Sequence, residues 1–565
     1  MKIDWDIPIR MDDGLELRAD VYRPDDGRHP AILSYGPYGK GLAFQEGYKT
    51  AWDIMARDYP DALAGSSNRY QNWEVVDPEK WVPAGYACIR VDSRGAGRSP
   101  GYLCHNNARE TRDLYECIEW AASQPWCSGK VGMNGISYYA SNQWRAAAAQ
   151  PPHLAAICVW EGWNDPYRES ARHGGIICSF RKNWQDMQVK TVQHGVGSRG
   201  KKNLNTGELV CGPETLGEEE LTKNRENMWQ SFLARELLDD YYLERTADLA
   251  KVTVPLLTAA NWGGQGLHTR GNFEGFMRAA SNEKWLEAHG GSHWAPFYTD
   301  YGIDLQKRFF DHFLKGERNG WDRQPPVQLN VRHPGEKFEL RHENEWPLAR
   351  TKWTRFYLDA DGMRLATEAP RAARPLAYDP MGNGVTFSMV AERETEITGP
   401  AALKVWISSA TADADLFIVL RVFDRAGKEV LFYGALDPKT PIGQGWLRAS
   451  HRKLDAEKSL PYRPWHTHDE KQPLKPGQPV ELDIEIWPTC IVVPKGYRIA
   501  LSIRGRDYEH DEAPASLSNM KNPMKGCGPF THDDETDRPP QVFGGKVTLQ
   551  LDREAFLLLP IIPSR

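Results

Sequence analysis

Cysteine is scarce in this chain: nine of 565 residues. The number is odd and no Cys-x-x-Cys pair occurs, which argues against both a disulfide scaffold and a zinc ribbon. Long apolar runs are missing too. A transmembrane helix needs ~20 of them, and the richest stretch, Ala555 to Ile562, is short and interrupted by proline. There is no surplus of positive charge. Lys and Arg number 70 against 76 Asp and Glu, a net charge of −6, so nucleic acid and anionic lipid are poor candidates for partners. No repeat recurs at a period of about 20–50 residues and no segment is of low complexity. The opening MKIDWDIPIRMDDG is charged and lacks the apolar centre of a secretory signal, so a cytoplasmic location is expected.

What is present reads as a soluble globular protein, with 40% hydrophobic and 26% charged residues and a mean hydropathy of −0.61. At ~100–200 residues per domain the length predicts three or four domains. Tryptophan is abundant, at 21 residues. Its amphipathic ring serves cores and ligand pockets alike, and a small-molecule, peptide or polymer substrate is the natural starting point.

Along the chain, Ile7, Ile9 and Met11 alternate up to the turn Asp12-Asp13-Gly14, and Leu15, Leu17, Ala19 and Val21 alternate after it, predicting a hairpin. Buried strands are then predicted at Ala31-Ile32-Leu33, Ala87 to Val91, Val131 to Met133 and Ala155 to Trp160, with helical patterns at Asn107 to Ser123 and from Ser137 to Ala149. Strands alternating with helices imply a parallel sheet covered on both faces. Residues 166–246 break the alternation and read as a helical cap, with a helical run from Met228 to Tyr242. The sheet resumes at Val254 to Ala260 and Lys284 to Ala288, followed by an amphipathic helix from Ile303 to Leu314. Beyond Pro325-Pro326, short period-2 runs from Val327 to Val331 through Val547 to Leu551 predict a β-sandwich or jelly roll. The expected division is an α/β core at 1–165 and 247–325, a cap at 166–246 and a β domain at 326–565.

Gly135-Ile136-Ser137-Tyr138-Tyr139-Ala140 falls between a predicted strand and a predicted helix. A tight turn there would hold the Ser137 hydroxyl clear of the backbone and aim the next N–H where an oxyanion forms. Gly135 suits the turn; Tyr139 stands where a G-x-S-x-G motif has its second glycine. A serine nucleophile needs a histidine base, and His293 lies just past the last predicted strand of the core. His268 and His289 read as loop histidines satisfied by backbone.

Gly36-Pro37-Tyr38, Val91 to Ser99, Gln124-Pro125-Trp126, Gly135 to Ala140, Gly291-Ser292-His293 and Gly445 to Ser450 together resemble the cocaine esterase / Xaa-Pro dipeptidyl-peptidase family of serine hydrolases. The resemblance runs from about residue 5 to the C-terminus. It implies an α/β-hydrolase core, an inserted helical cap and a C-terminal jelly roll. It also implies Ser137 as nucleophile and His293 as base, with the Tyr38 hydroxyl and the Tyr138 N–H as oxyanion hole. One position departs from the pattern. Where relatives carry Gly-Trp-x-Asp this chain has Asn261-Trp262-Gly263-Gly264, so the triad acid must come from elsewhere. Glu161, at the end of the strand beside the nucleophile strand, is the first candidate; Asp165 is the fallback, and Glu287 ranks below both.

Trp163, Trp262 and Trp294 are expected to line the acyl pocket, favouring a hydrophobic or aromatic acyl group. His466-Thr467-His468, His510-Asp511-Glu512 and His532-Asp533-Asp534 contain ligand types without ligand spacing and read as solvated loop charge, so no metal and no cofactor are expected. Gly95-Ala96-Gly97 lacks the rest of a dinucleotide fingerprint. The expected activity is hydrolysis of a small ester or amide through an acyl-enzyme, with no nucleic-acid or membrane partner and homo-oligomerisation left open. The rivals are an Xaa-Pro dipeptidyl-peptidase or acylase, which would need an acid for the substrate amine, and a polymer-binding protein with a degenerate hydrolase core.

Overall fold

The computed structural model describes residues 1–370 and 374–563. The hairpin β1 (Lys2–Arg10) and β2 (Glu16–Arg23) leads into β3 (His29–Gly36), β4 (Ala87–Asp92), β5 (Cys127–Ile136) and β6 (Leu154–Trp160). A two-stranded ribbon, β7 (Arg172–His173) and β8 (Ile176–Ile177), stands apart. The main sheet continues with β9 (Leu256–Asn261), β10 (Lys284–His289), β11 (Val327–His333) and β12 (Lys337–Glu343). Its spatial order is β1-β2-β4-β3-β5-β6-β9-β10-β11-β12. The seven strands from β4 to β11 pair in parallel, and β1, β2 and β12 are antiparallel margins. Every residue of β4 and β9 is buried, because helices cover both faces of a parallel sheet. One of them, Ala108–Ser123, starts where the Asn107 side chain accepts the Glu110 N–H.

The order reverses between β3 and β5: β4 lies on one side of β3 and β5 on the other. Open α/β sheets bind ligands at such a switch point, beyond the carboxyl ends of the strands. Tyr38 follows β3 and Ser137 follows β5, so the topology brings these two residues to one crevice.

The strand Val327 to Val331, expected in the β-rich tail, belongs instead to the main sheet. As part of β11 it pairs in parallel with β10, Leu286 opposite Val327 and Ala288 opposite Leu329. Alternation marks a half-buried strand without saying which sheet it joins. Here Val327, Leu329 and Val331 pack with Trp262, Phe273 and Trp346.

Between β6 and β9 the cap is a series of short helical turns around the β7/β8 ribbon. The run from Met228 to Tyr242 divides into helices Met228–Leu233 and Asp240–Arg245, the second capped by the Asp239 carboxylate on the Tyr241 N–H. The C-terminal domain is an eleven-stranded, mostly antiparallel sheet. Its strand Thr395–Ser409 pairs with Val480–Val493 and with Phe556–Ile562, and the latter also pairs with Lys352–Asp359. The sheet thereby curls into a barrel around an aliphatic core. Among the described residues no helix is long and apolar enough to cross a membrane.

Candidate active site

Ser137 is the hinge between β5 and the helix Tyr138–Ala148, with φ 60° and ψ −111°. Such a backbone is costly for a residue with a Cβ and places the hydroxyl above the turn. Gly135 makes the turn possible: at φ 153°, a Cβ there would lie 2.5 Å from Cβ of Tyr139. Tyr139, in the place of the motif's second glycine, is accommodated from the other side. A Cβ on Gly36 would come within 2.7 Å of Cε1 of Tyr139, so the missing side chain at 36 gives the ring its room.

Three residues of the site share positive φ: the half-buried Ser137 and the buried Glu74 at 64° and Glu161 at 51°. Their backbones are tied together. The Ile136 N–H donates to the Glu74 carbonyl at 3.0 Å and the Ser137 N–H to the Glu161 carbonyl at 3.1 Å, while the Glu161 N–H donates to Ala259 on β9 at 2.7 Å. Strain of this kind costs about 1–3 kcal/mol per residue and persists only where surrounding bonds over-determine it.

Side chains converge on the same point. Glu161 Oε2 lies 2.7 Å from Nδ1 of His293, and Nε2 of His293 lies 3.0 Å from Glu74 Oε1. The other Glu161 oxygen meets His289 Nε2 at 3.1 Å and accepts the Asn261 side-chain amide at 3.2 Å. Ser137 Oγ is 3.0 Å from Nε2 of His268. The His268 and His293 rings stack, centroids 5.2 Å apart and planes at 10°.

Burial alone would raise the Glu161 pKa, but the His293 charge and the bonds from His289 and His293 lower it to about 2. Burial alone would lower that of His293, yet the Glu161 charge and the bonds to Glu161 and Glu74 carry it up to about 10. Glu74 goes the other way: burial beside Trp73 pushes it up to about 7, only partly offset by His293. His268 is held well below the ordinary histidine value by burial first and the His293 charge second. A neutral His268 therefore faces the serine, and a carboxylate-held His293 lies behind it.

Tyr38 lines the same cavity. Its hydroxyl accepts the Trp184 Nε1–H at 2.9 Å, which leaves its own proton free to donate. Burial keeps the phenol protonated by raising its pKa well above the ordinary value. The Tyr138 N–H, in the first turn of its helix, has no intrahelical acceptor. The Tyr138 hydroxyl is engaged elsewhere, donating to Glu110 at 2.5 Å.

The cavity above Ser137 is walled by all three parts of the chain: Trp73 and Leu267 from the core, Phe180 and Trp184 from the cap, Met520 and Phe530 from the C-terminal domain. The tryptophans expected there lie elsewhere. Trp262 stacks on Phe273 and donates to the Asn330 carbonyl. Trp163 packs against the guanidinium groups of Arg145 and Arg181, and Trp294 packs against Trp73. Each follows a strand of the core or its last loop as anticipated, but a ring that close to the sheet is drawn into the packing beneath the site. Asp165 is likewise removed from His293; it binds Arg168 at 2.6 Å and pins the cap. Glu287 holds Nδ1 of His289 at 2.6 Å.

Two site residues escaped the sequence reading. His268 is no backbone-satisfied loop histidine: it bonds Ser137, and its Nδ1 has no partner among the described residues. Its place in the loop after β9, beyond the carboxyl end of a core strand, was the available signal. Glu74 sits in the long β3–β4 connection, where no motif marks it. Gly264, at the place of the family's acid, lines the cavity. A Cβ there would lie 2.8 Å from Thr269 Oγ1 and 3.2 Å from the Asn261 carbonyl, so the loop leaves little space for a side chain at this position.

Comparison with known proteins agrees with this architecture. Residues 13–295 match the model of the X-Pro dipeptidyl-peptidase (S15 family) and residues 319–522 that of the X-Pro dipeptidyl-peptidase C-terminal non-catalytic domain. The chain is 24% identical to the cocaine esterase of a Rhodococcus species, over 89% of this chain and 90% of that one. It is 32% identical to the crystal structure of a CocE/NonD family hydrolase from Staphylococcus aureus, covering 99% and 93% of the two chains with a TM-score of 0.85. An archaeal aminopeptidase shares the fold, with a TM-score of 0.69 at 14% identity over 99% and 96% of the chains. With its strained serine elbow and histidine–carboxylate pair on this scaffold, the chain belongs to the CocE/NonD and S15 family of serine hydrolases.

Proposed function

We propose that the protein hydrolyses small carboxylic esters with a hydrophobic or aromatic acyl group through an acyl-enzyme. The observation that carries this is the Ser137 elbow, whose Oγ meets an imidazole inside an aromatic cavity that also holds His293. Ser137 Oγ attacks the ester carbonyl as its proton passes to Nε2 of His293. The Tyr38 hydroxyl and the Tyr138 N–H take the developing oxyanion. Collapse expels the alcohol with that proton, and a water deprotonated by His293 then releases the acid and restores the serine.

His293 is preferred as base because imidazolium formation needs a carboxylate at Nδ1, and Glu161 supplies it at 2.7 Å. In this role Nε2 of His293 exchanges Glu74 for Ser137. A second reading makes His268 the base, since it touches Ser137 directly. Burial, the neighbouring His293 charge and the unpartnered Nδ1 all oppose a charge on it.

Preference for esters over N-terminal peptides rests on the lining. Among the described residues Glu74 is the one carboxylate at the cavity wall, and it is bonded to His293, so a substrate amine would compete with the base for it. Fluorophosphonate labelling tests the nucleophile: the wild type takes up the probe and Ser137→Ala does not, and equal uptake by both would sink the reading. Turnover of p-nitrophenyl esters against a dipeptidyl-p-nitroanilide tests the substrate class.

A further inference from the structure

His532 is not solvated loop charge. Its ring is fully buried where the C-terminal domain meets the β7/β8 ribbon of the cap, beside the buried His173 and Cys178. One ligand atom from each of the three lies within 4.8 Å of the others. His173 Nδ1 and His532 Nε2 are 2.7 Å apart.

Each ring also has an outer partner for its far nitrogen. Nδ1 of His532 lies 2.8 Å from the Asp507 carboxylate, an acceptor that calls for a proton on Nδ1. Nε2 of His173 lies 3.4 Å from the Glu169 carbonyl oxygen, an acceptor for a proton on Nε2 when Nδ1 is given over to a metal. In the tautomers with both outer nitrogens protonated, the two inner nitrogens turn lone pairs towards each other and the Cys178 sulfur. At that separation either one proton is shared, His173 Nδ1–H donating to His532 Nε2 with both rings neutral, or a metal ion stands in its place between the two lone pairs. The surroundings, built of Trp446, Trp487 and Phe417, enclose the three donors in the kind of apolar shell that limits solvent access at a metal centre. Histidines whose far nitrogens are bound to a carboxylate and a carbonyl, with a thiol completing the set, are the usual supports of a metal ion.

We propose that His173, Cys178 and His532 form a binding site for a soft or borderline d10 cation, Zn(II) or Cu(I), that ties the cap ribbon to the C-terminal domain. Binding places the ion between the two inner nitrogens and releases the Cys178 proton to solvent. Bonds of ~2.0–2.1 Å to nitrogen and ~2.3 Å to sulfur require the rings to part slightly and the sulfur to draw in. None of the three ligands lines the cavity above Ser137; the site would act through the packing of the cap, whose Phe180 and Trp184, two and six residues past Cys178, wall that cavity. The proposal does not depend on the esterase reading.

Cobalt(II) is the probe. Metal-free full-length protein titrated anaerobically with cobalt is expected to bind one equivalent, with tetrahedral d–d bands and a thiolate-to-cobalt charge-transfer band. Cys178→Ser should abolish the charge-transfer band and His532→Gln should weaken affinity at least tenfold; Cys104→Ser, at the one cysteine outside the buried class, should change neither. Competition with zinc, and separately with a cuprous chelator under reductant, distinguishes the two ions. Absence of the charge-transfer band in the wild type overturns the site, as does its survival in folded Cys178→Ser. The wild-type spectrum decides even if a variant fails to fold.

Discussion

His268 and His293 lie face to face, their rings 5.2 Å apart and nearly parallel, yet each holds what the other lacks. One touches Ser137; the other touches Glu161. Replacing each in turn separates contact from charge stabilisation. His293→Ala is expected to lower kcat for a p-nitrophenyl ester by ~10⁴ or more, the scale of a lost triad member, whereas His268→Ala should cost no more than ~10-fold. Burst kinetics give the acylation rate directly. The reverse ranking would make His268 the base.

The Tyr38 hydroxyl is oriented by Trp184 from the cap, so the oxyanion hole proposed around Tyr38 would depend on a residue outside the core. Tyr38→Phe should reduce kcat by ~10²–10³, the usual effect of one lost oxyanion donor, with little change in KM. Trp184→Phe keeps an aromatic wall and loses only the N–H, and should fall in the same direction by a smaller factor. A change confined to KM in both would reassign Tyr38 to binding.

Much of this site could be read from residues alone. The serine, Tyr38 and His293 stand in short motifs whose backbone geometry is local: a turn after β3, an elbow after β5, a loop after β10. Glu161 was reachable by topology, because β6 lies between the nucleophile strand and β9 and its carboxyl end opens on the same crevice. Glu74 and His268 were not, since their roles come from long connections folded over the sheet. The tryptophans fared worst. Trp262 and Trp294 adjoin the acid's glycine loop and the base, but proximity in sequence says nothing of which face of the loop a ring takes. The assignment of Val327 to Val331 failed for a related reason, as sheet membership is a tertiary property.

Glu74 has a consequence for the pH profile. The base must be neutral, and a carboxylate at Nε2 favours the imidazolium form of His293. In Glu74→Gln that pull disappears, the His293 pKa falls from about 10, and the acidic limb of kcat/KM moves to lower pH. The shift should exceed one pH unit, measured from esterase rates between pH 5 and 10. An unmoved limb would mean that Glu74 is not on His293 in the working enzyme.

Glu161 ties stability to pH in two windows. Its carboxyl has a pKa of about 2 in the folded chain against an ordinary 4.5, so its contribution is complete above pH 4.5 and is lost as pH falls through 2. The histidines it touches are raised against burial from 6.5, His289 to about 9 by the Glu287 charge first and the Glu161 bond next, and His293 to about 10 chiefly by Glu161. Their contribution is complete below pH 6.5 and is lost as pH rises through 9 and 10. Glu161→Gln keeps the shape and can still hydrogen-bond, but it removes the charge that sets both slopes. Urea midpoints between pH 3 and 10 should therefore show the variant less stable than wild type near neutrality, with the gap narrowing towards both ends. A constant gap across the range would place the loss in packing and detach Glu161 from the charge of the two rings.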